Sequence, residues 1–174
     1  MSVVTTLKAQ WDYIFQVLQS NMNYGAGGPG TGTNAAGLLQ SVASVEQSEW
    51  PAFNALPFVG VSLKNWTMQS EYTGPRRKLI AHFEIVAVVD VVASGTTTIK
   101  LADAYAKAMA ILDDGAGNGI LPILLDPSRY TLGGNASKVI PSAGRNDWAD
   151  KSGGKGTDYV AYSTVILQIE SYVG

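Results

Sequence analysis

The feature that most constrains this chain is a long apolar run, KLIAHFEIVAVVDVV, at residues 78–92. Its odd positions are all apolar, whereas its even positions mix apolar side chains with His82, Glu84 and Asp90. This period of two predicts a β-strand with one buried face and one partly solvated face. At roughly 3.3 Å per residue, the strand extends over about 46 Å. A compact chain of 174 residues is only about 40 Å across, so this one strand spans the molecule.

The segments around this strand predict an α+β fold with a mostly antiparallel sheet, because the strands cluster instead of alternating with helices. Residues 57–64 alternate in the same way, so they pair with residues 79–92 as a long β-hairpin around a turn at 67–78. Apolar residues at helical spacing predict two main helices that pack on the sheet. The predicted elements, in chain order, are a helix at 5–20 capped by Thr5 or Thr6, a strand at 38–47, the hairpin, a helix at 96–117 stopped by Gly115, a short proline-broken strand at 120–130 and a long strand at 158–173.

The chain length predicts a single domain over residues 1–174 with its own core. Two segments within it read as loops: residues 23–34 are rich in glycine, and residues 133–157 form a long flexible excursion rich in Gly, Ser, Asn and Asp. The predicted sheet core consists of Val59, Val61, Phe83, Ile85, Val89, Leu167 and Ile169, and the predicted attachment of the second helix consists of Leu101, Tyr105, Met109 and Leu112.

The composition favours a subunit of an assembly. Charged residues make up 15% of the chain, against about 25% in an average soluble domain, while 46% of the residues are hydrophobic. Burial of surface against other subunits accounts for this shortage of charge, since obligate interfaces resemble a domain core. Uncharged Ser, Thr, Asn and Gln are the alternative source of surface polarity.

Little in the sequence supports catalysis or a cofactor. His82 is the single histidine and there is no cysteine, which disfavours imidazole zinc sites, hydrolytic triads and thiolate chemistry. The glycine-rich segment lacks the Gly-Lys-Ser/Thr ending of a phosphate loop. The Asp113-Asp114 pair lies at a helix end beside glycines, where a structural role is favoured over a metal site. We therefore expect no enzyme activity, no catalytic or metal-binding residues and no cofactor.

The charge pattern and the hydropathy limit the partners. A net charge of −2 and a pI near 5.3 lack the basic footprint of a nucleic-acid-binding protein. No apolar run approaches the ~20 residues of a membrane span, and the start of the chain does not resemble a signal peptide. These features predict a soluble protein that is made in a cytoplasm and does not bind membranes.

Five residues are candidates for contacts with partners. Arg76, Arg77 and Lys78 form the one basic cluster, which is either a solvated hairpin turn or a contact with an acidic surface or a nucleic-acid backbone. Arg145 and Trp148 lie in the segment at 133–157. An exposed Trp in such a segment is either an interface anchor or a side chain that holds the segment onto its own domain.

Taken in order, these elements resemble a known pattern. The first helix ends near VLQSNMNYG, the strands LLQSVASVEQSEW and LPFVGVSL follow, and a basic turn leads into KLIAHFEIVAVVDVV. The helix LADAYAKAMAILDD and the final strand YSTVILQIESYV complete the order. Over roughly residues 5–172, this order and texture resemble the tail terminator, or tail completion, proteins of tailed bacteriophages.

The resemblance implies a structural protein of the virion, assembled in the bacterial host cytoplasm. It implies a homohexameric ring that caps the tail tube, joins it to the neck or connector of the head, and lets DNA pass through a central channel. A β-hairpin that outgrows its own domain then lies against the neighbouring protomer. Another ring of the same virion, such as a neck, connector or tail tube protein, is the nearest alternative, and a small enzyme or binding module is the alternative from a different class.

Overall fold

The computed structural model describes residues 2–21, 42–47, 56–70, 76–91, 97–129, 131–150 and 159–174. Five strands form one sheet in the order β1-β2-β3-β5-β4, in which β1 runs parallel to β2 and every other pair is antiparallel. This architecture confirms the predicted α+β fold with a mostly antiparallel sheet and two main helices. The elements are α1 (Val3–Ser20), β1 (Ser44–Glu46), β2 (Phe58–Ser70), β3 (Arg77–Val91), α2 (Thr97–Leu112), α3 (Ile120–Leu125), a 3-10 turn (Leu132–Gly134), β4 (Lys138–Asp150) and β5 (Tyr159–Val173).

The strand β3 is the centre of the sheet and of the core. Its odd positions face the helices, and they are buried from Leu79 to Val91 because α1, α2 and α3 cover this side. All seven residues predicted for the sheet core are indeed buried, none of them more than 2% exposed. The alternation in the sequence therefore identified the correct strand and the correct inward face.

The opposite face of the sheet is divided into two halves. A small apolar cluster buries one half and consists of Phe58, Val86, Val88, Val160 and Tyr162. The other half, around His82 and Glu84, is only partly buried and carries ion pairs and amide side chains. The even positions of β3 therefore lie on a face that is apolar and buried at one end, and polar and partly exposed at the other.

The helix α1 begins two residues earlier than the sequence predicted. Ser2, not Thr5 or Thr6, is the N-cap, and its hydroxyl accepts a hydrogen bond from the Thr5 backbone N–H. Farther along, Trp11 packs edge-on against Phe83 with ring centroids 6.4 Å apart, and its indole N–H donates to the Val61 carbonyl. Trp11 thereby fixes the helix to two neighbouring strands.

The helix α2 attaches to the core through three of its four predicted residues. Leu112 is buried, and Leu101 and Tyr105 are partly buried and pack against the core, together with the buried Ala104, Ala108 and Ile111. Met109, in contrast, is 43% exposed. Met109 follows the fully buried Ala108, and one residue of helix turns the side chain by about 100°, away from the sheet. The prediction that Met109 belongs to the attachment is therefore wrong.

The hairpin is longer than its sequence suggests. β2 continues to Ser70, and β3 begins at Arg77, so half of the predicted turn at 67–78 is strand. A β-bulge between Leu63 and Asn65 shifts the register, which interrupts the alternation after the first half of β2. A search for strict period-two alternation therefore ends the strand at the bulge.

Two further predictions are wrong. Residues 120–125 form the helix α3 instead of a strand, and Pro122 is tolerated in its first turn because the N–H groups there need no intrahelical acceptor. Residues 138–150, predicted as part of a flexible excursion at 133–157, form the strand β4. Backbone pairing with β5 from Lys138 to Asp150 orders this segment despite its polar composition. The remaining part at 151–157, the glycine-rich segment at 23–34 and the predicted strand residues 38–41 lie outside the described residues.

Candidate subunit interface

The long strand β3 has no free edge of its own. It pairs with β5 over its whole length, from Arg77 to Val91, and with β2 from Arg77 to Val88. The expectation that the hairpin lies against the neighbouring protomer therefore concerns its outer strand, β2, and stays a prediction. The surface left for another chain lies on the outer strands, β2 and β4.

The second half of β2 is the most open part of the described sheet. β1 pairs with β2 only at residues 58–60, and the Trp11 indole caps the next carbonyl, that of Val61. Beyond this point, no described strand pairs with the outer edge of β2. Residues 64–70 are exposed, and they include two large apolar side chains, Trp66 at 46% and Met68 at 39% exposure.

Register places these apolar side chains on the side of the sheet that the helices cover. Trp66 lies opposite Ala81 and Met68 opposite Leu79, and both partners belong to the helix-side core. Arg77, opposite Ser70, shares this face because it is two residues from Leu79. We call the exposed surface formed by Trp66, Met68 and Arg77 the ribbon end.

The predicted basic cluster is divided by its surroundings. Arg76 and Arg77 are exposed, and no ion pair joins them to any described residue. Lys78 instead points to the opposite face, where its amino group lies 2.9 Å from the Glu170 carboxylate. The hydrogen bond from Lys78 lowers the pKa of Glu170, and the nearby positive charge of Lys138 adds to this effect. Two of the three basic residues are therefore available for an intermolecular contact.

The other two predicted residues lie on β4, across the sheet from the basic cluster. Arg145 is exposed and is paired in register with Thr164. Trp148 is 51% exposed, and its ring packs edge-on against Tyr159 at a centroid distance of 5.4 Å. Trp148 thus holds β4 onto its own domain while half of its surface stays open.

A cavity of about 310 Å³ lies between the end of α2, β4 and β5, and we call it the α2–β4 cavity. It is an open recess, lined by Met109, Leu112 and Asp113 at the end of α2, by Gly144, Arg145 and Asn146 of β4 and by Thr164 of β5. The Asn146 amide donates to the Met109 sulfur at 3.3 Å and so links α2 to β4. The lining is mainly apolar and carries one charge of each sign, on Asp113 and Arg145, so it suits an apolar side chain.

Two adjacent aspartates follow α2 beside this cavity. Asp114 follows Asp113 at the end of α2, and hydrogen bonds from the Asn118 side chain and the Ala116 N–H lower its pKa, so it is charged at neutral pH. These contacts give the two aspartates a structural role in the loop. On β4, Asp147 contributes to a raised pKa of Tyr162, for which burial is the main cause. The Tyr162 hydroxyl is therefore protonated at neutral pH.

His82 has a structural role in the described fold. Its ring Nδ1 lies 2.7 Å from the Asn65 side-chain oxygen, just after the bulge in β2. Among the described residues, no group of three or more His, Asp or Glu side chains is placed to hold a metal ion. None of the helices in the described ranges is long and apolar enough to cross a membrane.

Sequence reasoning missed three exposed apolar residues at these surfaces. Met68 lies in the predicted turn at 67–78 and Trp66 just before it, because the bulge interrupts the alternation in the second half of β2. Met109 was assigned to the attachment of α2 because it is four residues from Tyr105. For Trp66 and Met68, the signal was a large apolar residue in the polar segment KNWTMQS. No protein-family model and no curated protein matches the chain.

Proposed function

We propose that this chain is a structural, non-enzymatic subunit of a tailed-bacteriophage virion that assembles into a ring at the head-proximal end of the tail. In this position the ring caps the tail tube, joins it to the neck or connector, and surrounds the passing DNA. The proposal combines the resemblance in element order and texture with the physical character of the open strand edge.

The observation that carries the proposal is the outer half of β2. Natural proteins protect sheet edges with charges, prolines or covering elements, because an open edge pairs with other chains. Residues 65–70, NWTMQS, have no charge and no proline, and they expose Trp66 and Met68. A surface of this kind suits a subunit that another chain covers, and the low charge of the sequence agrees with this.

The charge distribution agrees with a channel through which DNA slides. The chain has a net charge of −2, so a ring of identical copies carries no net positive charge that would hold the duplex. Arg76 and Arg77 lie together at one end of the sheet, where they suit a local contact with an acidic neighbour, with the tube or with the DNA backbone.

Imaging of the purified protein tests this proposal. Negative-stain micrographs and native mass spectrometry of wild-type protein at increasing concentration should show closed rings of one size, with six subunits expected. Addition of the rings to polymerising tail tube protein should stop growth at one end. A chain that stays monomeric at the highest soluble concentration would contradict the proposal.

A tail tube subunit is the second candidate, and one observation favours it. Four strands of 13 to 15 residues form two long antiparallel pairs, so the chain is richer in strand than its sequence suggested. The same micrographs distinguish the two functions, because a tube subunit polymerises into long tubes and a terminator stops at one ring.

A further inference from the structure

We infer that neighbouring copies of this chain bind head to tail, with the ribbon end of one copy seated in the α2–β4 cavity of the next. The inference rests on the proposed ring function and identifies the two surfaces that meet. Its occupant is a second copy of the chain, because the apolar side chains and Arg77 of the ribbon end suit the apolar lining and the Asp113 carboxylate of the cavity.

The ribbon end is a protruding apolar surface with a positive charge. Trp66 and Met68 are exposed at the outer edge of the sheet, and Arg77 follows on the same face. Tryptophan and arginine are the residues most often found to dominate binding energy in protein interfaces. The indole and the guanidinium therefore provide two anchors on one face of the hairpin, with Met68 between them.

The α2–β4 cavity is an open, mainly apolar recess. Met109 and Leu112 supply its apolar surface, and its volume of about 310 Å³ is sufficient for an indole ring. The lining carries one charge of each sign, on Asp113 and Arg145. Asp113, with Asp114 next to it, is placed to attract Arg77 of the ribbon end.

The two surfaces lie at opposite edges of the same sheet, and both face its helix side. Trp66 is level with Ala81 of β3, while Gly144 lies beside Val165, which pairs with Ile85 of β3. A patch that fits a different patch on an identical molecule makes a heterologous contact, which closes into a ring when the rotation per subunit allows it. This geometry gives the ring a polarity, with one donor surface and one acceptor surface per copy.

Two single substitutions test the contact from its two sides. Trp66→Glu places a charge in the donor surface, and Met109→Glu places one at the acceptor cavity. Each should raise the concentration needed for half-maximal ring assembly at least about 10-fold, as judged by native mass spectrometry and negative-stain imaging. Both positions are exposed in the single chain, so far-ultraviolet circular dichroism should show unchanged folding. The matched control is Val4→Glu on α1, which is 76% exposed and lies in neither surface, and it should assemble normally.

A mixture of the two variants gives a sharper result. The Met109→Glu chain retains a working donor, and the Trp66→Glu chain retains a working acceptor. The mixture should therefore form one-to-one heterodimers and nothing larger, although each variant alone is monomeric. Full rings in the mixture, or monomers only, would overturn the inference.

The charge component has its own test. Arg77→Glu should weaken assembly more than Asp113→Asn, which removes the charge but keeps an oxygen that accepts the Gly115 N–H. Lys107→Glu on the exposed side of α2 changes the net charge by the same amount as Arg77→Glu and should have no effect. If wild-type protein forms rings and all these variants do so equally well, the inference fails while the proposed function stands. If wild-type protein is monomeric, both fail.

Discussion

The two long outer strands of the sheet, β2 and β4, have the same length but differ in how their edges are protected from other chains. β2 and β4 each have 13 residues, and each contains a register shift against its inner partner. β4 carries a proline next to its bulge, charged residues along its length and a tryptophan that packs on its own domain. β2 also has a bulge, but residues 65–70 beyond it contain no proline and no charge, and Trp66 has no ring contact with a described residue.

This difference indicates that the edge at β4 is protected against pairing with another chain, whereas the edge at β2 is not. Charges, prolines and bulges are the means by which natural sheets prevent edge-to-edge association. A chain that protects β4 and leaves β2 open uses the two edges for different purposes. β2 is suited to contact another chain, whereas β4 contributes to a recess that can receive one.

The prediction with the largest expected effect on stability tests whether the outer strands β2 and β4 both depend on the central strand β3 for their stability. Phe83 is fully buried in β3 and contacts Trp11. Phe83→Ala should lower the free energy of unfolding by about 3 to 5 kcal/mol, because it removes apolar contacts and leaves a cavity. Urea denaturation monitored by tryptophan fluorescence measures this. A loss below about 1 kcal/mol would mean that the two edges are stabilised independently of the core.

The second-largest effect comes from a direct comparison of β4 and β2, in which one methyl group is added to a residue of each strand and the free energy of unfolding is measured. A β-carbon at Gly144 would lie 2.8 Å from the Thr164 carbonyl oxygen, a backbone atom of β5 that cannot move easily. Gly144→Ala should therefore destabilise the fold by about 1 to 3 kcal/mol, despite the lower chain entropy of alanine in the unfolded state.

The matched change on the open edge is Ser70→Thr, which adds a methyl group to an exposed residue of β2. It should alter the free energy of unfolding by less than about 0.5 kcal/mol. Equal effects at the two positions, measured by the same denaturation experiment, would contradict the view that β4 is closely packed and β2 is free.

Much of this fold was predictable from local pattern. The alternation in β3 and β5 and the helical spacing in α1 and α2 are strong because one face of each element is buried along its length. β4 was not predictable in this way, since most of its side chains are exposed and carry no alternation. Its strand conformation comes from hydrogen bonding to β5, which contributes nothing to the sequence pattern of β4 itself.

The candidate site was predictable in part. The basic cluster at Arg76 and Arg77 is evident in the sequence, and the structure leaves both residues exposed. The ion pair between Lys78 and Glu170 was not predictable from the sequence. It depends on which face of β3 each residue occupies and on a partner 92 residues away in the chain (170 − 78 = 92). Trp66 and Met68 required knowledge of the bulge in β2.

A smaller effect on stability distinguishes Trp148 of β4 from Trp66 of β2. Trp148→Ala removes an edge-on contact with Tyr159 and should cost about 0.5 to 1.5 kcal/mol of stability. Trp66→Ala removes no described ring contact and should change the stability of the monomer by less than about 0.5 kcal/mol. Denaturation of both variants at a concentration too low for assembly measures this difference. If Trp66→Ala destabilises the monomer more than Trp148→Ala does, Trp66 belongs to the fold of its own chain rather than to an interface.

The smallest effect depends on pH and concerns the ion pair beneath the basic cluster. The pKa of Glu170 is lower in the folded chain than in the unfolded one, mainly because Lys78 donates a hydrogen bond to its carboxylate. A lowered pKa means that the unfolded chain binds the proton more readily, so the pair stabilises the fold above the ordinary glutamate pKa of about 4.3. This stabilisation is lost as the pH falls through the lower pKa of the folded state.

Lys78→Gln should therefore reduce the free energy of unfolding by less than about 1 kcal/mol at pH 7, as expected for a partly exposed pair. The difference between variant and wild type should shrink as the pH falls below about 4, because the wild-type carboxylate then also becomes protonated. Denaturation curves at pH 7 and at successive acidic values test this. The matched substitution Arg77→Gln, on the other face of the same strand, should show no such pH dependence, because Arg77 contributes to the open surface and not to this pair.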